Sequence, residues 1–422
     1  MALPVRTSPP GPMRRADPGE AIAVTFPVQP VPWLLLVTVG IDYIAPARMP
    51  RDLQRAGFKV ALLAPERSLA AHTAFVDRLA YFPEATNLLE WIRALAAAVR
   101  AVDPVLILPG DDIALRTMMQ LVLDPPAGID PAIQGELETV IRRSLGDPGG
   151  WLDSIDKTRL FELAGRHRVS VAPGAIATSE DAAVAVAADT GYPVIVRSAY
   201  GSAGSAAARC ESGGEVRAAV RGFPHADAWR PRGEPRLIVQ RWIEGEIVNR
   251  ASVAWLGDEV AGVTRGRLAT HPGPLGPASV VEFVGLPAVA EATADLCRLL
   301  ALHGFVGTQY VIEAQSRRPC LIEINRRMLP ATHGGALVGV DLAAALFAAV
   351  NGREWAGPRD LPPGPGSRLA LFPQEWYRDD DSAWLRNLPS DAPWHDPALL
   401  AAMVRMPLEA GRSPPRILAP LL

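Results

Sequence analysis

Glu313, Glu323 and Asn325 lie in two apolar runs, Gly307-Thr308-Gln309-Tyr310-Val311-Ile312-Glu313 and Cys320-Leu321-Ile322-Glu323-Ile324-Asn325-Arg326-Arg327, separated by six residues. Two strands joined by a short turn are expected to place Glu313 opposite the Glu323 end of its partner. Glu323 and Asn325 are two apart and share a face. Two carboxylates and an amide oxygen make an all-oxygen site suited to Mg²⁺, which keeps waters and takes substrate phosphates as further ligands. Arg327 continues that face and is placed to meet a transferring phosphoryl group. The plain alternative is a solvated hairpin face. Glu323 argues against it, because a carboxylate in Leu321-Ile322-Glu323-Ile324 is costly unless paired or metal-bound.

Two further segments carry chemistry. Gly191-Tyr192-Pro193-Val194-Ile195-Val196-Arg197 is a buried strand ending in a cation. Ser198-Ala199-Tyr200-Gly201-Ser202-Ala203-Gly204-Ser205 then forms a loop of small residues that returns at Ala206 to Cys210. Backbone N–H groups in such a loop approach phosphate oxygens closely, although an ordinary hairpin loop has the same composition. The P-loop spacing is absent, and no G-x-G-x-x-G follows the first strand. In Leu237-Ile238-Val239-Gln240-Arg241-Trp242-Ile243-Glu244-Gly245-Glu246 an apolar strand exits into a linker whose backbone and apolar side chains suit an adenine ring.

The elements that must position these groups follow from periodicity. Trp33 to Val39, Phe58 to Leu63 and Pro104 to Pro109 read as buried strands, with helices at Pro50 to Ala56, Leu88 to Val99 and from Asp112 to about Leu123. Strands alternating with helices predict a doubly wound parallel sheet over 31–145, with Gly40 and Asp111-Asp112 at the ligand-binding ends and Asp112 as a helix N-cap. After Gly146 to Gly150, helices are expected at Asp156 to His167 and Ser179 to Thr190. Strands are expected at Arg236 to Arg241, Ile247 to Trp255, Glu259 to Arg267, Val306 to Ala314 and Pro319 to Ile324, in antiparallel sheets. Helices at Ala288 to His303 and Asp341 to Val350 complete the pattern. The boundaries drawn are 1–30 for a disordered Pro/Arg-rich arm, 151–235 and 236–355 for two subdomains, and 356–422 for a Pro- and Trp-containing extension.

The composition bounds the rest. The 422 residues are about three domain-lengths at ~150 residues each. Apolar residues make up 49% and charged residues 21%, with a net charge of −3, which gives no electrostatic reason to expect nucleic acid or an acidic membrane. Three separated cysteines exclude a disulfide scaffold and favour the cytoplasm. Lysine occurs only at Lys59 and Lys157, every other basic side chain being arginine.

In order, spacing and chemistry these segments resemble the ATP-grasp superfamily over roughly Trp151 to Gly352, preceded by a domain similar to its usual N-terminal partner. The resemblance also includes Asp156-Lys157 opening a helix and Gly339-Val340-Asp341-Leu342. It implies an ATP- and Mg²⁺- (or Mn²⁺-) dependent, ADP-forming ligase. Such an enzyme joins a small-molecule carboxylate, activated as acyl-phosphate, to an amine, and a homodimer is compatible with it. Lys157 and Arg197 then match the phosphate cations, with Ser198, Gly201, Ser202 and Gly204 in the phosphate loop. Gln240, Arg241, Trp242 and Ile243 match the adenine hinge and Glu246 the ribose position. Glu313, Glu323 and Asn325 match the metal ligands, and Arg327, with Arg197, the catalytic arginines. Arg265 and Arg267 are further candidates for anion contacts, and His333 with Gly334-Gly335 for the acceptor pocket. The family more often has lysine at Arg197 and glutamate at Gln240. Carboxylation or carbamoyl-phosphate chemistry, a nucleotide-binding regulator without turnover, and an NAD-linked enzyme remain as alternatives.

Overall fold

The computed structural model describes residues 31–84, 86–201, 206–223 and 236–409. The arm expected over 1–30 lies outside the described residues, as do Ser202 and Gly204 of the glycine loop and the end of the extension from 410. Four strands, β1 (Trp33–Val37), β2 (Lys59–Pro65), β3 (Arg78–Phe82) and β4 (Leu106–Pro109), form a parallel sheet in the order β3-β2-β1-β4. Its central strand is apolar on both faces for a visible reason. Leu35 and Val37 pack under the helices Leu88–Val102, Asp112–Leu123 and Pro131–Leu145, while Leu34 and Leu36 join a core shared with the rest of the molecule. The expected doubly wound domain is present.

A second sheet holds β5 (Gly174–Ala177), β6 (Val194–Ser198), β7 (Ala207–Cys210) and β8 (Leu237–Arg241), antiparallel in the order β5-β8-β6-β7. Two helices, Glu180–Thr190 and Gly213–Gly222, cover one face. Ser179 caps the first of them by accepting from Ala182 N at 3.1 Å. The third sheet is built from β9 (Gly245–Trp255), β10 (Asp258–Thr270), β11 (Ala278–Gly285), β12 (Gly304–Glu313), β13 (Pro319–Asn325) and β14 (Gly364–Ala370), in the order β13-β12-β9-β10-β11-β14. The helix Pro287–Leu299 packs behind it. On its front, Ala251 and Val253 enter the shared core, and the same strand face runs outward to Asn249.

Two boundaries differ from the sequence expectation. β8 completes the small sheet, so the division falls after Arg241 rather than before Arg236. The second lies in the extension drawn from 356: β14 pairs with β11 and carries the large sheet on to Ala370, and three helices follow at Gln374–Arg378, Ala383–Asn387 and Pro397–Glu409. Glycine and proline in 362–366 concealed β14, whose pairing is a tertiary matter.

The extension is tied down by a buried ionic knot. Asp391 Oδ1 lies 3.5 Å from Arg48 Nη2 and accepts from Phe372 N at 2.5 Å, while Oδ2 meets His333 Nε2 at 2.9 Å. Arg48 Nη2 also donates to the Phe372 carbonyl at 2.6 Å. One carboxylate thereby joins the N-terminal domain, the segment after β13 and the extension. His333, expected to line an acceptor pocket, is turned into this knot instead. Burial pushes the Asp391 carboxyl up, but Arg48 and His333 outweigh it and hold it below the usual carboxylate range.

Asp391→Ala leaves Arg48 buried without a carboxylate and should cost about 3–5 kcal/mol, lowering Tm by on the order of ten degrees. Thermal unfolding checks this, with Arg48→Met/Asp391→Leu recovering much of the loss. Because the folded pKa is depressed, the wild-type contribution is complete above the unfolded value of about 3.9 and disappears only as pH falls through the lower folded value.

Candidate active site

A cavity of about 590 Å³ opens among the three sheets, lined from the parallel sheet by Gly40 and Asp112, from the small sheet by Arg197 and Gln240, and from the large sheet by Arg265, Gln309 and Glu323. Its floor is a row of side chains across four strands. Glu323 on β13 pairs with Gln309 on β12, Gln309 with Asn249 on β9, and Asn249 with Arg265 on β10. Gln309 Nε2 donates to Asn249 Oδ1 at 3.0 Å, and Asn325 Nδ2 to Glu323 Oε1 at 3.1 Å.

This register corrects the pairing expected for Glu313. Beside the turn, Glu313 N bonds to the Arg318 carbonyl at 3.0 Å. Its carboxylate accepts from Ser316 at 2.5 Å and lies 3.7 Å from Arg241, away from the cavity floor. Counting back from the turn sets Tyr310 against Leu321, but a register shift then sets Gln309 against Glu323. Ile322 is the extra residue of that bulge. Gln309, which sequence reasoning missed, therefore stands where the second oxygen ligand was expected. The only sequence signal would have been the bulge, and nothing local encodes it.

The bulge has a second consequence. The Ile322 carbonyl accepts from Arg197 Nη1 at 2.7 Å, so a cation on β6 docks on the large sheet. Arg197 also donates to Gln240 Oε1, while Gln240 Nε2 donates to the Ala172 carbonyl at 2.7 Å. Both ends of the Gln240 amide are thus engaged, and the side chain orients Arg197 rather than reading a ring. Burial lowers the Arg197 pKa to about 10, against the pull of Glu323, and the group stays charged at neutral pH with its Nε unpartnered.

Lys157 is presented by a cap. Asp156 Oδ1 accepts from Thr158 N at 2.8 Å and Arg159 N at 3.2 Å, starting the helix Lys157–His167 at the cavity edge. Lys157 Nζ then lies 3.3 Å from Glu323 Oε2 and 2.9 Å from the Gly201 carbonyl. Gly201 sits at φ +151°, and a Cβ there would come within 2.6 Å of the Ala206 Cβ. Burial pushes the Glu323 carboxyl up, but Lys157, the Asn325 hydrogen bond and Arg197 together hold it below the usual range.

Arg241, Trp242 and Ile243 line the cavity where the chain crosses between sheets, with Trp242 Nε1 held by Glu244 at 2.7 Å. Gly245 begins β9 directly under β12, where a Cβ would meet the Ile312 carbonyl at 2.1 Å. Glu246 does not reach the cavity: it is exposed, 3.9 Å from Arg317. Ser198 N bonds to the Ala206 carbonyl at 3.0 Å and closes β6.

Arg327 lines the cavity but is already paired. Its Nε and Nη2 donate to the two Asp112 oxygens at 2.7 and 2.8 Å, and its guanidinium lies 4.9 Å from the Tyr43 ring centre. Asp112 is therefore not the helix cap expected from sequence. Asp111 is, accepting from Ala114 N at 2.8 Å and, through its other oxygen, from Thr38 Oγ1 and the Val39 and Gly40 N–H groups. The pair with Asp112 neutralises Arg327 and joins the N-terminal domain to the large sheet. Burial raises the Tyr43 hydroxyl pKa to about 12.

The donor set fits a hard cation held together with phosphates. Among the described residues no three His, Cys, Asp or Glu side chains gather. Glu323, Asn325 Oδ1 and Gln309 Oε1 instead offer one carboxylate and two amide oxygens, which suits Mg²⁺ completed by water and phosphate. Unpartnered N–H groups on buried Arg197, Arg265 and Arg267 mark the same cavity as an oxyanion site.

The fold is shared with solved ATP-grasp structures. Residues 156–247 match the family of the carbamoyl-phosphate synthase L chain, ATP binding domain. The carbamoyl phosphate synthase large chain of Thermus thermophilus is 27% identical over 277 residues, 60% of this chain, and the chain spans about a quarter (26%) of that relative's length. Solved structures with the same fold include the biotin carboxylase domain of the Hydrogenobacter thermophilus 2-oxoglutarate carboxylase, in complex with MgADP and bicarbonate (TM-score 0.55, 15% identity, 77% of this chain and 71% of that one). An L-amino acid ligase from Bacillus licheniformis superimposes with TM-score 0.54 at 12% identity, over 76% of this chain and 74% of that one. The N5-carboxyaminoimidazole synthase of Aspergillus clavatus, solved with ADP and its ribonucleotide, gives 0.55 at 13%, over 79% and 80%.

Gln309→Leu should weaken Mn²⁺ binding in the presence of ADP by about tenfold or more, whereas Glu313→Gln should leave it within about twofold. Electron paramagnetic resonance titration reads both, and an equal loss in the two variants returns Glu313 to the metal set.

Proposed function

We propose that this chain is an ATP- and Mg²⁺-dependent ligase that activates a small-molecule carboxylate and joins it to an amine, releasing ADP and phosphate. The observation that carries this is the meeting of two phosphate-competent cations, Lys157 and Arg197, with the oxygen donors Glu323, Asn325 and Gln309 in one cavity. The hinge at Arg241 to Ile243 takes the adenine, and the phosphates extend toward Glu323. Lys157 then exchanges its contact with Glu323 for phosphate oxygens. The substrate carboxylate attacks the γ-phosphorus, ADP departs, and the amine displaces phosphate from the acyl-phosphate. Arg197, fixed by Ile322 and Gln240, stabilises equatorial oxygens in place and loses no freedom in doing so. Glu323, Asn325 and Gln309 would hold Mg²⁺, which when bound would supply charge neutralisation to the nucleotide phosphates.

The partners proposed are small molecules and a second copy of the chain, not nucleic acid or membrane. No helix of the described residues is long and apolar enough to cross a bilayer, and the location proposed is the cytoplasm, where ATP is available. A second reading, activation of bicarbonate, is favoured by the match of residues 156–247 to the carbamoyl-phosphate synthase family.

ADP release from Mg²⁺-ATP, measured against pooled organic and amino acids with hydroxylamine present, tests the reading. Carboxylate-dependent ADP together with a hydroxamate is the expected outcome. ADP release that depends on bicarbonate alone moves the chain to the second reading, and tight ATP binding without ADP under any mixture removes both. Glu323→Gln should lower turnover by about a hundredfold or more with little change in Tm.

A further inference from the structure

The far end of the cavity holds a cation without an anion. Arg265 is only 5% exposed, its Nη1 has no hydrogen-bond partner, and the titratable groups that act on it are Arg267 and the neutral Tyr43 hydroxyl. Arg267 is held elsewhere, donating from Nη1 to the Gly276 carbonyl at 3.0 Å. A buried guanidinium N–H without an acceptor is costly, and an oxyanion from outside the chain would relieve it. In the proposed pose the nucleotide phosphates lie elsewhere, toward Glu323. They are served by Lys157 and Arg197, and Arg265 lies three strands from Glu323 along the floor, about 14 Å at the backbone.

The same cavity holds the complementary orphan. Gln374 begins the first helix of the extension and lines the cavity beside Leu371, yet its buried Oε1 accepts from nothing. An unmet acceptor calls for an N–H or O–H donor, as an unmet guanidinium calls for an oxyanion. Leu275, Pro277, Leu329 and Pro330 give the surrounding wall an apolar character. We propose that Arg265 and Gln374 form a two-point subsite for an α-amino acid, Arg265 taking its carboxylate and Gln374 Oε1 its amine N–H. The C-terminal extension thereby supplies a specificity residue to a cavity otherwise built by the other domains. This inference rests on the ligase reading for the site's purpose but not for its detection, because binding is measurable without turnover.

The test is titration calorimetry on the chain saturated with Mg²⁺ and a non-hydrolysable ATP analogue. The twenty common L-amino acids are screened, and the tightest is compared with its α-hydroxy and des-amino counterparts. The amino acid should bind about ten- to a hundredfold more tightly than the des-amino acid. Gln374→Leu should erase that preference, and Gln374→Glu, which keeps an acceptor, should restore it. Arg265→Met should weaken all three ligands by a similar factor, and Arg265→Lys should do so less, with the analogue's own affinity unchanged as a check on folding. Absence of amino-acid binding at millimolar concentration, a preference that survives Gln374→Leu, or tighter binding of the α-hydroxy acid overturns the proposal. Failure of the ligase reading shows separately, as absence of carboxylate-dependent ADP release.

Discussion

Arg197 is the point at which the two halves of the cavity are held in register. It leaves the end of β6 in the small sheet and donates to the Ile322 carbonyl on β13 of the large sheet. That carbonyl is available because Ile322 is the extra residue of a bulge. An unbulged β13 would keep the Ile322 carbonyl in the ladder and turn the pairing of Glu323 by one residue, from Gln309 to Thr308. One inserted residue thus decides both where the phosphate cation docks and which side chain faces the carboxylate. Gln240 completes the arrangement by fixing Arg197 with a neutral amide. A glutamate there would cancel the charge, whereas the amide orients it and leaves it for phosphate.

The charges of the cavity separate into those already compensated and those left for ligands. Arg327 is matched by Asp112 in a bidentate pair that joins the N-terminal domain to the large sheet. Lys157 is partly matched by Glu323, which also faces the metal position. Arg197, Arg265 and Arg267 retain buried N–H groups without acceptors. Such groups cost stability, and each is a place where an anion from solution gains more than it would at an exposed arginine. The cavity is therefore arranged for more than one anionic group, with the oxygen donors of β12 and β13 at one end and Arg265 at the other.

Much of this was legible in the residues because the relevant features are local. The run Leu34-Leu35-Leu36-Val37 can only be a strand buried on both faces, and Gly40 and Asp111 fall at its ligand end as the parallel topology requires. Asp156 before Lys157 marks a helix start, and Glu323 in an apolar strand announces a compensated carboxylate. What escaped was set by pairing at a distance. Glu313 is expected opposite Glu323, but the bulge assigns that place to Gln309. Asp112 looks like a cap until Arg327, 215 residues away, claims it and Asp111 caps instead. β14 escaped because glycine and proline hide an edge strand whose stability comes wholly from its neighbour.

The extension shows how stability and recognition are linked in this fold. Asp391 binds the Phe372 N–H and Arg48 binds the Phe372 carbonyl, so the backbone between Leu371 and Gln374 is gripped from both sides by one buried ion pair. Leu371 and Gln374, which flank that grip, are the residues the extension presents to the cavity. Without the knot, β14 would remain paired to β11, but the turn after it would have no reason to hold Gln374 at the cavity wall. The cost of burying Arg48, Asp391 and His333 is thus offset by a side-chain position that a loop held only by apolar contacts would not fix.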